Sequence, residues 1–81
     1  MVDMQVVFED IISKILLLEN EQIKDDISRD ELELWDSMTH LALVSELEQA
    51  FDIILSDEDV TEIKTIGDIK KTLNKFGINV E

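Results

Sequence analysis

Apolar residues recur at steps of three and four positions along most of this 81-residue chain. Such spacing places them along one face of an α-helix, and no stretch shows the strict apolar–polar alternation that is typical of a half-buried strand. The chain contains no proline and only two glycines, so it has few residues that break helices. We therefore predict an all-α protein, a four-helix bundle with three longer helices and one short third helix.

The apolar pattern also predicts where the helices lie. The first is predicted over residues 4–18 and the second over residues 37–52, while the residues between them lack a regular period and predict a long loop. Ser56 and Thr65 each begin a capping-box pattern, which predicts the starts of the third and fourth helices. Gly77 is placed to end the fourth helix, ahead of a short tail. The side chains expected to face the core are Met4, Phe8, Ile11, Ile15, Leu18, Leu43, Leu47, Ala50, Phe51, Ile54, Val60, Ile63, Ile66, Ile69, Leu73 and Phe76. The loop is expected to be pinned to that core by Ile23, Ile27, Leu32 and Leu34.

The charge of the chain restricts its partners. Twenty acidic residues oppose seven basic ones, which gives a formal charge of −13. This charge argues against nucleic acid and anionic membrane surfaces as partners, and it favours proteins with basic surfaces. The same charge repels itself in the compact state, so added salt or magnesium is expected to stabilise the fold.

Size and composition exclude several kinds of site. A chain of this length is expected to form a single domain, residues 1–81, without a deep enclosed active site. It has no cysteine, so a disulfide or a cysteine-ligated zinc site is impossible. Its acidic clusters lack the spacing of a calcium loop, and we expect no dedicated metal site. The longest apolar run has four residues and no secretory signal is visible, so we predict a cytoplasmic protein without membrane insertion.

Ser37 is the residue that most suggests a function. It follows Asp36 at the point where the second helix is predicted to begin. The first backbone N–H groups of a helix lack partners within it, and the helix dipole leaves partial positive charge there. Both effects stabilise an anion, so a hydroxyl at this point is well placed to carry a phosphate group.

Catalysis by Ser37 is a less favoured interpretation. His40 lies three residues further along the same helix, but the sequence lacks a Gly-x-Ser-x-Gly elbow and a small bundle shelters little from water. We interpret His40 as an exposed residue of the first helical turn. The alternative is that it lies close to a phosphate on Ser37. Trp35 is interpreted as an anchor that packs the end of the loop, with its N–H bonded to water or a carbonyl.

The motif Asp36-Ser37-Met38, between a long loop and an amphipathic helix, resembles the Asp-Ser-Leu motif of acyl carrier proteins. The likeness extends over residues 41–51, 51–53, 57–60 and 65–69, and the length and acidity of the chain agree with it. The resemblance implies a carrier rather than an enzyme. In that family, a phosphopantetheinyl transferase moves 4′-phosphopantetheine from coenzyme A onto the motif serine, here Ser37. The terminal thiol then carries an acyl thioester between biosynthetic enzymes.

The resemblance further implies a monomeric carrier that meets acyl-loading and acyl-accepting enzymes through their basic surfaces. The residues expected to face those partners are Met38, Leu41, Ala42, Ser45 and Glu48. Two departures from the family pattern are Met38, in place of the usual leucine, and Trp35, where a small or acidic residue is common. The second helix also carries few acids. These features favour a specialised pathway, such as a cell-envelope lipid, a surface polysaccharide or a secondary metabolite.

Other functions stay open on the sequence alone. The chain is alternatively an aminoacyl carrier of the D-alanyl or peptidyl type, an unmodified acidic bundle that only docks on a partner, or a small hydrolase that uses Ser37. Net charge does not separate an acyl carrier from an aminoacyl carrier. The absence of phosphopantetheine after incubation with coenzyme A and a transferase would favour the docking protein.

Overall fold

A computed structural model describes residues 3–81, and within this range the chain forms four α-helices and no strand. The helices are α1 (Met4–Leu16), α2 (Ser37–Phe51), α3 (Asp57–Glu62) and α4 (Ile66–Lys75). The predicted all-α bundle with a short third helix is confirmed, since α3 has 6 residues and the others have 10 to 15. Met1 and Val2 lie outside the described residues, so the extent of the domain over residues 1–81 stays a prediction.

Helix α1 packs against α2 through its apolar face. Phe8, Ile11 and Ile12 are buried, as the helical period predicts. The predicted end at residue 18 is wrong, because Leu17 adopts a left-handed conformation with φ of 53° and is exposed. The expectation of a buried Met4 is also wrong. Met4 is 48% exposed, since it is the first residue of α1.

Helix α2 ends at Phe51, one residue before the predicted end. Asp52 follows in a left-handed conformation, with φ of 54°, and turns the chain out of the helix. The helical period therefore does not continue to Ile54, which is 85% exposed and not in the core as predicted. Leu55 is buried instead. Ala50 was also expected in the core and is exposed, on the solvent side of the last turn.

Both predicted capping boxes are present. The hydroxyl of Ser56 accepts from the N–H of Asp59, and Thr65 does the same for Asp68 at the start of α4. The buried carboxylate of Asp59 also pairs with Lys75 at the end of α4, so one carboxylate caps α3 and links it to α4. This ion pair lowers the pKa of Asp59 below its ordinary value.

The long loop between α1 and α2 is held largely by its backbone. Ser28 and Thr65 form an isolated antiparallel bridge, and the N–H of Arg29 donates to the carbonyl oxygen of Lys64 at 2.9 Å. The predicted apolar pins are confirmed only in part, because Leu34 is 41% exposed. The three that pack half-buried against the core are Ile23, Ile27 and Leu32. The loop thus joins the segment between α3 and α4, which the sequence pattern did not predict.

The C-terminal residues contribute to the core. Gly77 has a φ of 85° and ends α4 as predicted, and the N–H of Ile78 then donates to the carbonyl oxygen of Leu73 at 3.0 Å. This turn buries Ile78 and Val80, although the sequence pattern predicted only a short tail. Phe76 was expected in the core and is 39% exposed, because it lies just past the last residue of α4.

Candidate functional site

Ser37 is exposed and is the first residue of α2, as the sequence predicts. Asp36 precedes it with an extended backbone and caps the helix. The carboxylate of Asp36 accepts from the N–H of Thr39 at 2.9 Å, and its carbonyl oxygen accepts from the N–H of His40 at 2.8 Å. The cap fixes the direction in which the chain enters the helix. The Ser37 hydroxyl is therefore presented to solvent at the positive end of the helix dipole.

Asp36 is a stable anion at this position. The hydrogen bond from the backbone N–H of Thr39 is the main cause of a pKa below the ordinary value of 3.8 for this carboxyl. Hydrogen bonds to the charged form favour ionisation. Asp36 is thus ionised at neutral pH and acts as the helix cap, next to the hydroxyl of Ser37.

His40 is buried, with only 3% of its surface exposed, so its interpretation as an exposed residue is wrong. Its Nδ1 accepts a 3.0 Å hydrogen bond from the indole N–H of Trp35, and its Nε2 lies 2.9 Å from the carbonyl oxygen of Val60. Since the indole N–H can only donate, Nδ1 is the acceptor and Nε2 carries the proton that is donated to Val60. The side chain of His40 thus bridges the end of the loop to α3.

This arrangement changes the interpretation of two residues. Trp35 is a buried anchor at the end of the loop, as predicted, but its N–H bonds to His40 and not to water or a carbonyl. Both ring nitrogens of His40 are occupied within the protein, so neither is available as a base for Ser37 or as a donor to a phosphate on it. Burial lowers the pKa of His40 below its ordinary value of 6.5, which keeps the ring neutral.

A shallow groove of about 260 Å³ lies beside Ser37. It runs between the long loop, α2 and α3, and it is lined by Arg29, Ser37, His40, Leu41, Val60 and Thr61. Arg29 is the cation that lines this groove. The sequence analysis missed Arg29, because it lies eight residues before Ser37 in a loop without a regular pattern. Only the bridge between the loop and the α3–α4 segment brings it to the site.

The residues predicted to face partners are mostly on the surface near Ser37. Met38 and Leu41 are 82% and 62% exposed, and Ala42 and Ser45 are also exposed. Glu48 differs from them, since it is half-buried and its carboxylate accepts a 2.8 Å hydrogen bond from the N–H of Leu55. That contact joins α2 to the loop before α3. Glu48 therefore has an internal role that the sequence analysis did not predict.

Comparisons with known proteins identify the family. The model of the family described as "Phosphopantetheine attachment site" matches residues 7–73 of the chain. An acyl carrier protein from Syntrophobacter fumaroxidans is 36% identical over 78 residues, with 89% of each chain covered. The chain belongs to the acyl carrier protein family. The prediction made from the resemblance around Ser37 is thus confirmed at the level of the family.

Two further comparisons agree. An acyl carrier protein from an Exiguobacterium species is 37% identical over 49 residues, which cover 60% of this chain and 54% of that protein. A solved structure described as an acyl carrier protein from Mycobacterium tuberculosis superposes with a TM-score of 0.79 at 29% identity. The superposition covers 90% of the present chain and 97% of the chain in the solved structure. The bundle and its long first loop are therefore the fold of the family.

Membership of this family means that the carrier bears a covalently attached 4′-phosphopantetheine. The residues at the start of α2 fit such a group, because they combine an exposed hydroxyl, a helix N-terminus and a groove that contains a guanidinium. Within residues 3–81, no cluster of three or more metal-binding side chains is found. None of the helices in the same range is both long and apolar enough to cross a lipid bilayer.

Proposed function

We propose that Ser37 is the residue that carries the phosphopantetheine arm of this acyl carrier protein. Its exposed position at the first residue of α2 supports this assignment more than any other observation. The hydroxyl oxygen of Ser37 displaces adenosine 3′,5′-bisphosphate from coenzyme A. One phosphorus–oxygen bond forms to Ser37, the pyrophosphate bond breaks, and the hydroxyl proton passes to the transferase. The thiol of the bound arm then holds the acyl group as a thioester.

The surface around Ser37 is the proposed docking site for the transferase and for the acyl-loading and acyl-accepting enzymes. Met38 and Leu41 supply exposed apolar contacts beside the attachment point, and Ala42 and Ser45 continue the same exposed face of α2. The net charge of −13 favours partners with basic surfaces around their active sites. Glu48 contributes to docking less than these residues, since its carboxylate is engaged by Leu55.

The proposed carrier is a cytoplasmic monomer of one domain without catalytic activity of its own. The occupied ring nitrogens of His40 support the absence of catalysis, because Ser37 then lacks a neighbouring base. We further propose service in a specialised biosynthetic pathway. The support for this part is the mainly apolar and uncharged surface of α2 next to Ser37, together with the buried Trp35 before it.

Intact-mass spectrometry tests the attachment residue. The apo protein is incubated with coenzyme A and a broad-specificity phosphopantetheinyl transferase, and one phosphopantetheinyl group is expected to add. Ser37→Ala is expected to abolish the addition, whereas Ser56→Ala, at an exposed serine that precedes α3, retains it. Addition to the Ser37→Ala variant would overturn the assignment. The mass of the holo protein purified from its own host then identifies the attached acyl group.

A further inference from the structure

Arg29 is an unpaired cation in the groove beside the proposed attachment residue. Within residues 3–81, the three ion pairs are Lys14–Glu46, Lys70–Asp25 and Lys75–Asp59, so Arg29 belongs to none of them. It is half-buried, and it lines both the groove that contains Ser37 and an adjoining cavity of about 380 Å³. The adjoining cavity also contains Asp30 and Lys64, neither of which lines the groove that contains Ser37.

The position of Arg29 does not depend on its own side chain. Its backbone N–H donates to the carbonyl oxygen of Lys64, and the neighbouring Ser28 forms the bridge to Thr65. These backbone contacts fix the start of the side chain at the edge of the groove. Because the side chain of Arg29 is half-buried, it loses less conformational entropy on binding an anion than a fully exposed side chain would.

An anion attached to Ser37 needs such a cation. The chain already carries a net charge of −13, and the ionised Asp36 directly precedes Ser37. A phosphodiester at Ser37 therefore meets like charges that the helix N-terminus offsets only in part. Guanidinium groups bind phosphate oxygens through two parallel hydrogen bonds, which makes Arg29 the suitable side chain in this groove.

Resting on the proposed attachment at Ser37, we propose that Arg29 binds the phosphodiester of the phosphopantetheine arm. The contact holds the base of the arm in the groove along Leu41, Val60 and Thr61, and it leaves the thiol end free to reach partner enzymes. Lys70 and Lys75 are each paired elsewhere and do not line this groove.

The test compares the apo and holo forms of three proteins: wild type, Arg29→Gln and Lys24→Gln. Lys24 is an exposed cation of the same loop that lines neither cavity, so its variant controls for the change in net charge. Mass spectrometry first shows whether the arm is attached at Ser37. We expect the phosphorus-31 resonance of the holo protein to move in Arg29→Gln and to stay unchanged in Lys24→Gln.

Thermal unfolding measures the strength of the contact. For each protein, the Tm of the apo form is subtracted from the Tm of the holo form. At low salt, this difference is expected to be about 2–4 °C lower in Arg29→Gln than in wild type, because the variant lacks the contact with the arm. Lys24→Gln is expected to match wild type in this difference, and high salt is expected to reduce the effect. Arg29→Lys keeps the charge but not the paired hydrogen bonds, so an intermediate value is expected.

The outcomes separate the two proposals. Failure of the arm to attach at Ser37 overturns the proposed function and, with it, the role of Arg29. Normal attachment with an unmoved phosphorus resonance in Arg29→Gln overturns only the role of Arg29. The same holds if Arg29→Gln and Lys24→Gln change the Tm difference equally.

Discussion

The indole N–H of Trp35 donates a 3.0 Å hydrogen bond to Nδ1 of His40 inside the core, five residues along the chain and one turn into α2. The opposite ring nitrogen of His40 reaches the carbonyl oxygen of Val60 in α3. One imidazole therefore connects the end of the long loop, the start of α2 and the short α3. Ser37, the proposed attachment residue, lies between Trp35 and His40 in the sequence. We infer that this bond keeps the start of α2 in a fixed position.

Trp35→Phe is expected to lower the free energy of unfolding by about 1–3 kcal/mol, because it leaves the buried Nδ1 of His40 without a donor. Urea unfolding measures the change. In the double variant with His40→Leu, the loss is expected to be smaller than the sum of the single losses by about 1 kcal/mol, since no unpaired ring nitrogen remains. Strictly additive losses would show that the bond contributes nothing of its own.

The contribution of His40 to the stability of the protein is expected to fall as the pH is lowered through the range just below 6.5. Burial and the nearby charge of Arg29 lower the pKa of His40 in the folded state, while the unfolded chain titrates near 6.5. The unfolded state thus binds more protons in this window. The stability linked to neutral His40 is fully present above 6.5 and is lost as the pH falls through the lowered folded-state pKa.

Urea unfolding between pH 7.5 and 5.5 tests this dependence in wild type and His40→Leu. The charge repulsion among carboxylates is common to both proteins and cancels in their difference. We expect the difference in unfolding free energy to shrink on acidification. A constant difference across the range would mean that His40 titrates alike in both states.

Glu48→Ala is expected to cost about 1–2 kcal/mol of stability, because the half-buried N–H of Leu55 then loses its acceptor. Glu48→Gln keeps an acceptor oxygen at the same place and is expected to cost less. Thermal unfolding of the two variants, compared at equal pH, provides the measurement. Equal costs would indicate that the charge of Glu48, and not its hydrogen bond, supports the fold.

Met38→Asp is expected to reduce the kcat/KM of a phosphopantetheinyl transferase for the apo carrier by about tenfold or more, which corresponds to about 1.4 kcal/mol. The reason is that Met38 is 82% exposed beside the proposed attachment point, so its contacts are available only to partners. Val6→Asp is the control, since Val6 is an exposed apolar residue of α1. Equal losses in both variants would contradict a docking surface at the start of α2.

Magnesium chloride is expected to raise the Tm of the protein by about 4 °C or more, because cations screen the repulsion among its excess carboxylates. The three ion pairs found within residues 3–81 are weakened by the same screening, but they are few attractions against many repulsions. Differential scanning calorimetry at fixed pH gives the Tm. An unchanged value would show that self-repulsion does not limit the stability of this chain.

The regular helices were predictable because each depends on side chains close in sequence. The apolar face of α1 around Phe8 and Ile12 follows from a 3.6-residue period, and the capping boxes of Ser56 and Thr65 each involve residues three apart. The errors lie at helix ends. Leu17 and Asp52 end their helices in left-handed conformations, which a periodic pattern does not encode. Ile54 was expected to be buried and is exposed, because α2 ends before it.

The residues around the site were predictable only in part. Ser37 and Asp36 lie together at a helix start because they are adjacent and the helix follows at once. The burial of His40 was missed, because its partners Trp35 and Val60 come together only when the loop and α3 pack on α2. Arg29 was missed for a related reason, since a backbone bridge between distant segments places it.

The sequence by itself determined the four helices, the capping boxes of α3 and α4, the acidic charge and the serine with its family motif, since these depend on residue types and on neighbours within about one helical turn. Only the tertiary structure decided that His40 is a buried link, that Glu48 supports Leu55 and that Arg29 lies beside Ser37. Each of these contacts joins two segments that come together only when the whole core packs. A local sequence pattern does not predict such packing, because it depends on residues that are distant in the chain.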